Sequence, residues 1–371
     1  MTATLTASSI TALPFGADTI DAIDTYLEAT LPEEISDFSG SVVVSRGAGT
    51  GITRSYGLAN REHWVPNTTN TKFRIASITK QFTAAAILQL QQHGLLDLQF
   101  PIAAYLPHSL QNKNNSDHIT IHHLLTHSAG IPNCINPELF PDIAAWLRLP
   151  ATLEQAIARF KDLPLVFEPG AAFLYSNSGY VLLTQIIETV SGQSYADYMQ
   201  VNLFEPLGMN NTGYEMPKAV IPNLAQGYFY LGAQSYLQAE PIDMSLPQGA
   251  GGLYSTVEDL ATWHQWLYRT PAKQSLLSSR SIALLTKPMI AMDLDRPSPD
   301  AFYGYGLVHD SYLGHQVMHH SGSINGFASA LTYCPEEQLT VGVLTNVENV
   351  PVEKVSKNLA AIVFEKSREV N

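Results

Sequence analysis

The sequence predicts an α+β fold from three observations. Short β-rich runs lie near both ends of the 371 residues, helix-patterned segments fill the middle, and no internal repeat or low-complexity run interrupts them. Strands from both ends pair most simply in one sheet, and helices at both termini can cover one of its faces. A prior of roughly 150 residues per domain allows two or three units. The division read here is a sheet domain built from residues 1–90 and 250–371, with a mainly helical domain, 91–249, inserted.

The elements follow in order. Asp18–Leu31 carries Ile20, Ile23, Tyr26 and Leu27 at helical spacing and should stop before Pro32. Gly40–Ser45 and Ile52–Leu58 flank a Gly-rich turn, Gly47–Gly51, and read as a hairpin. Gln81–His93 contains no Asp, Glu, Lys or Arg and is closed by Gly94, the pattern of a helix buried on most sides. Short amphipathic helices are expected at Ile121–His127, Leu153–Phe160, Tyr180–Val190 and Tyr195–Leu203. Ser255-Thr-Val-Glu258 reads as a capping box for a helix running to about Tyr268. Strands are expected at Gln316–His320, Phe327–Tyr333 and Leu339–Thr345, the last two joined by Pro335–Gln338. A helix from about Val352 to Glu365 follows.

Composition narrows the function. Apolar residues are 45% and charged residues 14%, against about 25% charged in ordinary domains, which excludes a disordered scaffold. A net charge of −13 argues against nucleic acid or an anionic membrane as main partner. No apolar run is long enough for a membrane span. Met1 to Gly16 has neither a basic n-region nor an apolar h-region, so the chain reads as cytoplasmic; a leader removed beforehand would make it periplasmic or secreted. Cys134 and Cys334 stand far apart and read as packed thiols rather than a disulfide framework.

Three segments carry candidate chemistry. In Phe73-Arg-Ile-Ala-Ser-Ile-Thr-Lys80, Ser77 falls where the charge-free helix should begin and Lys80 lies one turn on, on the same face. One reading makes Ser77 an N-cap and Lys80 a surface lysine. The other makes them nucleophile and base: a cation at the positive end of a helix dipole is disfavoured, and burial pushes an amine from ~10.4 toward the ~7–8 that a base needs. In Tyr175-Ser-Asn177, on a polar turn after Pro169-Gly170, the phenol could shuttle the serine proton and the amide could bridge Lys80 and a substrate. In His319-His-Ser-Gly-Ser-Ile-Asn-Gly326, His320-Ser321-Gly322 reads as a passage between strands. There Gly322 would let backbone approach a ligand, and the Ser323 N–H could join that of Ser77 in an oxyanion hole. His123 and His127, at i and i+4, could present two zinc ligands on one helix face, but no Glu follows His123 and no metal site is expected.

Taken in order, Ser77-x-x-Lys80, Tyr175-Ser-Asn177 and His320-Ser-Gly322 resemble the three motifs of the serine β-lactamase and penicillin-binding protein superfamily. The class C β-lactamase-like branch, with its DD-carboxypeptidases, D-aminopeptidases and carboxylesterases, is the nearest. Gly94-Leu-Leu-Asp-Leu, His123–Pro132, Glu168-Pro-Gly170 and Glu205–Met209 add to the likeness. The resemblance implies an antiparallel sheet flanked by helices plus a mainly helical domain, with the site between them. It implies catalytic roles for Ser77, Lys80 and Tyr175, and substrate contacts for Asn177, His320, Ser321, Gly322 and Ser323. His320 stands where class C β-lactamases carry lysine, which points to the peptidase side of the family. The expected activity is a serine hydrolase acting through an acyl-enzyme on small amides or peptides, without cofactor or metal, with β-lactams as possible acylating ligands. A carboxylesterase, a weak class C β-lactamase, or an idle penicillin-binding or assembly protein are the alternatives.

Overall fold

A strand covered on both faces must be apolar at every position, and Val42-Val43-Val44 meets that demand. In the computed structural model, which describes residues 15–35, 38–47, 51–111, 117–269, 276–292 and 300–370, these valines lie on β1 (Gly40–Arg46). β1 is next to the edge of an eight-stranded sheet whose other members are β2 (Ile52–Tyr56), β3 (Ile290–Ala291), β4 (Phe302–Tyr303), β5 (Val308–Tyr312), β6 (His315–Ile324), β7 (Phe327–Cys334) and β8 (Leu339–Thr345). The order is β3-β4-β5-β6-β7-β8-β1-β2, and every pairing is antiparallel. The two ends of the chain meet where β1 pairs with β8, Val42 opposite Val343.

Alternation along β1 then assigns the layers. Val42 and Val44 join one cluster with Ile23 of α1 (Ala17–Thr25) and with Val355, Leu359 and Val363 of α5 (Val352–Val370). Val43 joins the other, which holds α2 (Thr79–Gln92), α3 (Asn177–Ser191) and α4 (Val257–Arg269). Every residue of α2 from Thr79 to Leu90 is buried. Its apolar members each gain about 1.5–3 kcal/mol from burial when large. Some of its polar atoms find partners: Thr83 Oγ1 donates to Gly249 O at 2.7 Å, and Gln81 Oε1 accepts from Trp263 Nε1 at 3.1 Å.

Several boundaries differ from the sequence reading. The first helix does not stop before Pro32; a π turn, Tyr26–Thr30, leads into Leu31–Glu34. Leu31 N–H bonds the Tyr26 carbonyl, and the widened turn gives the Pro32 ring room. The same device, Gln200–Phe204, carries a later helix past Leu203 and through Pro206 to Leu207. The second hairpin strand ends at Tyr56 because Gly57 takes φ +69°, and Leu58–Asn60 pairs separately with Val65–Pro66. The Gly47–Gly51 turn and the Met1–Gly16 segment lie partly outside the described residues. The cap of α4 is shifted by one residue: Thr256 Oγ1 accepts from Asp259 N–H at 3.2 Å.

The correction that matters most concerns β6. It does not end at His320 but runs to Ile324, and the passage to β7 is only Asn325-Gly326. β5 pairs with β6 no further than His319, so His320–Ile324 keeps an open outer edge. Against this stretch packs the single turn Ala76–Ile78 that precedes α2. A Cβ on Gly322 would stand 2.6 Å from Ile75 O and 2.9 Å from Ala76 Cβ. Ser329 Oγ, across the ladder on β7, donates to the same Ile75 carbonyl at 2.9 Å. Gly322 is therefore needed for contact between strand and turn, rather than between strand and ligand. Gly322→Ala should lower Tm by a few degrees, through an overpacking cost of about 1–3 kcal/mol. Gly16→Ala, where a Cβ meets nothing within 4 Å, should leave the thermal melt unchanged.

Candidate active site

Lys80 Nζ is fully buried. It lies 2.7 Å from Ala250 O, 2.9 Å from Asn177 Oδ1 and 3.0 Å from Ser77 Oγ. Among the described residues no carboxylate pairs with it, and burial lowers its pKa to about 7. An ammonium donates to all three oxygens; a neutral amine gives its two protons to Ala250 O and Asn177 Oδ1, which only accept, and turns its lone pair to the Ser77 hydroxyl.

Ser77 sits on the turn Ala76–Ile78, directly after Ala76, whose φ of +45° is unusual for a residue with a Cβ. Tyr175 donates its hydroxyl proton to Ser77 Oγ at 2.8 Å, so the serine oxygen is held between phenol and amine. The Lys80 Nζ is also 4.8 Å from the centre of the Tyr175 ring. α3 starts at Asn177, three residues before the expected Tyr180, and Asn177 therefore projects from its first turn. The Asn177 N–H donates to Asn133 Oδ1 at 3.2 Å, which fixes that turn.

The β6 residues divide. In a hairpin closed by two residues the flanking pair, Ile324 and Phe327, shares hydrogen bonds, and the pattern alternates from there. The Ser323 N–H accordingly faces the open edge, and Ser323 lines the same pocket as Ser77 and Asn177. Ser321 does not join them: it lines a separate cavity with Asp310 and Lys357, on the α5 side of the sheet. His320 is buried, with its ring centre 6.2 Å from that of Tyr175. Its Nδ1 donates to the Ser321 carbonyl at 2.6 Å, and its Nε2 is 3.0 Å from the Tyr303 hydroxyl.

His127 does not share a helix face with His123. The helix Ile121–Leu125 ends before it, and His127 takes φ +57°. Thr120 N–H donates to His123 Nδ1 at 3.2 Å, closing a capping box. No cluster of three or more His, Cys, Asp or Glu suited to a metal occurs among the described residues. His127 instead underlies the site, its ring centre 4.3 Å from that of Tyr175. Its Nδ1 accepts from Ser176 N–H and its Nε2 is 3.2 Å from Tyr303 Oη. Burial, then the charges of Lys80 and His320, hold its pKa well below 6.5.

The sequence reading missed Ala250 and Tyr303, and weighed His127 only as a zinc ligand. A signal for Tyr303 existed in Phe302-Tyr-Gly-Tyr-Gly306: Gly306 has φ +75°, and a Cβ there would lie 2.7 Å from the Lys80 carbonyl. Beside the serine a pocket opens whose walls are Ile143, Trp146, Phe160, Val181 and Leu246. Cys134 and Cys334 are free thiols, as expected. Burial raises the pKa of both.

The lowered Lys80 pKa has a stability signature. Between about 7 and 10.5 the unfolded chain binds more protons at this residue than the folded one, so stability gains with rising pH across that window. The contribution is most unfavourable below pH ~7. In Lys80→Met the Tm difference from wild type should be most positive near pH ~6 and shrink toward pH ~10. Thermal melts across that range check it, and a difference independent of pH would contradict a depressed amine.

These features have counterparts in known proteins. The Beta-lactamase family model matches residues 28–364. Penicillin-binding protein 4* of Bacillus subtilis (strain 168) is 28% identical over 330 residues, 85% of this chain and 69% of that protein. The chain spans about two thirds of the length of the curated relatives it matches. The octameric penicillin-binding protein homologue from Pyrococcus abyssi is 32% identical, with a TM-score of 0.78 over 93% of this chain and 77% of that one. The D-amino acid amidase from Ochrobactrum anthropi SV3 has a TM-score of 0.78 over 95% and 99% of the two chains; at 22% identity it shows the shared fold. With the family matched across most of its length and the antiparallel sheet and helices of that fold in place, this chain belongs to the Beta-lactamase family, within the serine β-lactamase and penicillin-binding protein superfamily.

Proposed function

We propose that the protein is a serine hydrolase that forms an acyl-enzyme at Ser77 and acts on small amides or peptides, in the manner of D-peptidases and DD-carboxypeptidases. One observation carries the reading: a buried amine, with no counter-ion among the described residues, and a phenol both contact the same serine oxygen, at 3.0 Å and 2.8 Å. Ser77 Oγ attacks the carbonyl carbon while its proton passes to Lys80 Nζ. The N–H groups of Ser77, at the start of a helix, and of Ser323, on the open edge of β6, hold the oxyanion. Tyr175 gives its proton to the departing amine and regains one from Lys80 through the site. Water then attacks the ester with the same pair acting in reverse. Asn177 orients Lys80 through its Oδ1 and offers its amide N–H₂ to the substrate.

The apolar pocket beside Ser77 favours a bulky apolar side chain on the substrate. The structure of the related amidase with L-phenylalanine amide is in keeping with such a ligand. Arg159 also lines the pocket, but its two Nη atoms are bound to Asp142 at 2.7 and 3.1 Å. With His320 hydrogen-bonded on both ring nitrogens, no fixed free cation stands ready among the described residues for a β-lactam carboxylate, so β-lactams should acylate Ser77 without fast release.

Intact-mass analysis after fluorophosphonate or penicillin should show a single adduct that Ser77→Ala lacks. Lys80→Ala and Tyr175→Phe should each lower turnover by ~10²–10⁴ with the fold intact, and the double variant should lose little more. A panel of D-amino-acid amides, p-nitrophenyl esters and a chromogenic cephalosporin should show amides turned over best. Turnover of esters alone would make the protein a carboxylesterase, and adducts without any turnover an idle penicillin-binding protein.

A further inference from the structure

We infer that Phe160 is a specificity-determining residue: its ring floors the pocket beside Ser77, limits the length of chain that the pocket accepts, and seals off a second apolar cavity. This rests on the function proposed above, because it concerns the apolar group that such a substrate places in that pocket.

Two cavities lie side by side. The first is the pocket shared by Ser77, Ile143, Trp146, Val181 and Leu246, with about 150 Å³ of free space. The second has about 20 Å³ and is walled by Leu106, Leu110, Ile119, Leu163 and Leu182. Among the described residues, Phe160 alone borders both. The same segments supply the two linings. On α3, Val181 lines the first cavity and its neighbour Leu182 the second, as successive residues about 100° apart on a helix can.

Phe160 is held where it stands. It is almost wholly buried, and its N–H donates to the Ile157 carbonyl at 3.1 Å. Its own carbonyl accepts from the Leu163 N–H at 3.1 Å, so the turn after the helix Leu153–Ala158 is pinned on both sides. Arg159, one residue earlier, pairs with Asp142 and lies 4.5 Å from the centre of the Trp146 ring, which ties this turn to another wall of the pocket.

The consequence is a length limit. A methylene buried in an apolar slot strengthens binding about fourfold, while one pushed against a close-packed ring adds strain instead. The rear cavity has room for about one water. Its walls are aliphatic apart from Lys161, which pairs with Asp162, and they offer a water few partners. It has the lining of an extension to the pocket and lacks only an opening. The protein therefore takes compact apolar groups, branched or aromatic, and refuses long straight chains.

The test is a series of p-nitrophenyl esters from acetate to dodecanoate, with kcat/KM read for each. Alongside it, calorimetry measures binding of the matching straight-chain amides to the same proteins carrying Ser77→Ala. Phe160→Ala joins the cavities and should move both optima about two or more carbons longer. Phe160→Leu keeps more of the buried volume and should move them the same way by less, which covers a Phe160→Ala that fails to fold. Leu163→Phe fills the rear cavity: alone it should leave the wild-type optimum in place, and combined with Phe160→Ala it should restore it. Folded Phe160 variants with the wild-type optimum, or a longer optimum that survives Leu163→Phe, would overturn the inference. The amides bind without acylating Ser77, so failure of the proposed hydrolysis and failure of the length limit remain distinguishable.

Discussion

A fully buried lysine with no carboxylate beside it among the described residues is the constraint around which this site is organised. Such an amine is tolerated only if it is neutral or if fixed dipoles meet all its protons. Both conditions hold: burial brings the pKa to about 7, and Ala250 O and Asn177 Oδ1 accept at 2.7 and 2.9 Å. Those acceptors must come close, which explains the small residues around α2. A Cβ on Gly249 would lie 2.6 Å from Thr184 Oγ1, beside the Ala250 carbonyl. On the far side, Gly306 abuts the Lys80 carbonyl itself. The absence of charge along α2 after Lys80 belongs to the same account, because every added ion would need its own buried partner.

The serine is positioned by a second close approach, between strand and turn. β6 loses its β5 partner after His319, and its bare edge is where Ala76–Ile78 docks. Gly322 removes the side chain that would block docking, and Ser329 ties the turn through Ile75 O. Ala76 at positive φ is the local strain that this docking sustains. One open strand edge thus sets both the nucleophile and, at Ser323, the N–H facing it.

Much of this was legible in the residues themselves. Ser77, Lys80, Tyr175 and Asn177 could be found because the chemistry demands those types, and the charge-free helix announced a buried lysine. What escaped notice depended on backbone course. Periodicity suggests a stop at Pro32, whereas the π turn carries the helix past it. Ser321, Gly322 and Ser323 have low strand propensity, so β6 looked complete at His320 although pairing with β7 carries it to Ile324. His127 enters the site only through its positive φ, and Tyr303 reaches it from 128 residues beyond Tyr175 in sequence (303 − 175), a distance no local pattern spans.

The charge balance of the site bears on substrate choice. In the proposed mechanism Lys80 serves as a base only when neutral, a condition that improves as pH rises through about 7. Under the proposed function a carboxylate contact at His320 would require the imidazolium form and the release of one of its two ring hydrogen bonds. The two demands oppose one another, and His127, kept uncharged between them, adds no cation of its own. A fixed lysine at 320 would hold carboxylates at every working pH, but it would set a permanent positive charge within the same buried group of side chains. Histidine avoids that charge where the base is most effective. Under the proposed function such a site suits substrates recognised by an apolar side chain in the pocket beside Ser77, with a carboxylate contact secondary to it.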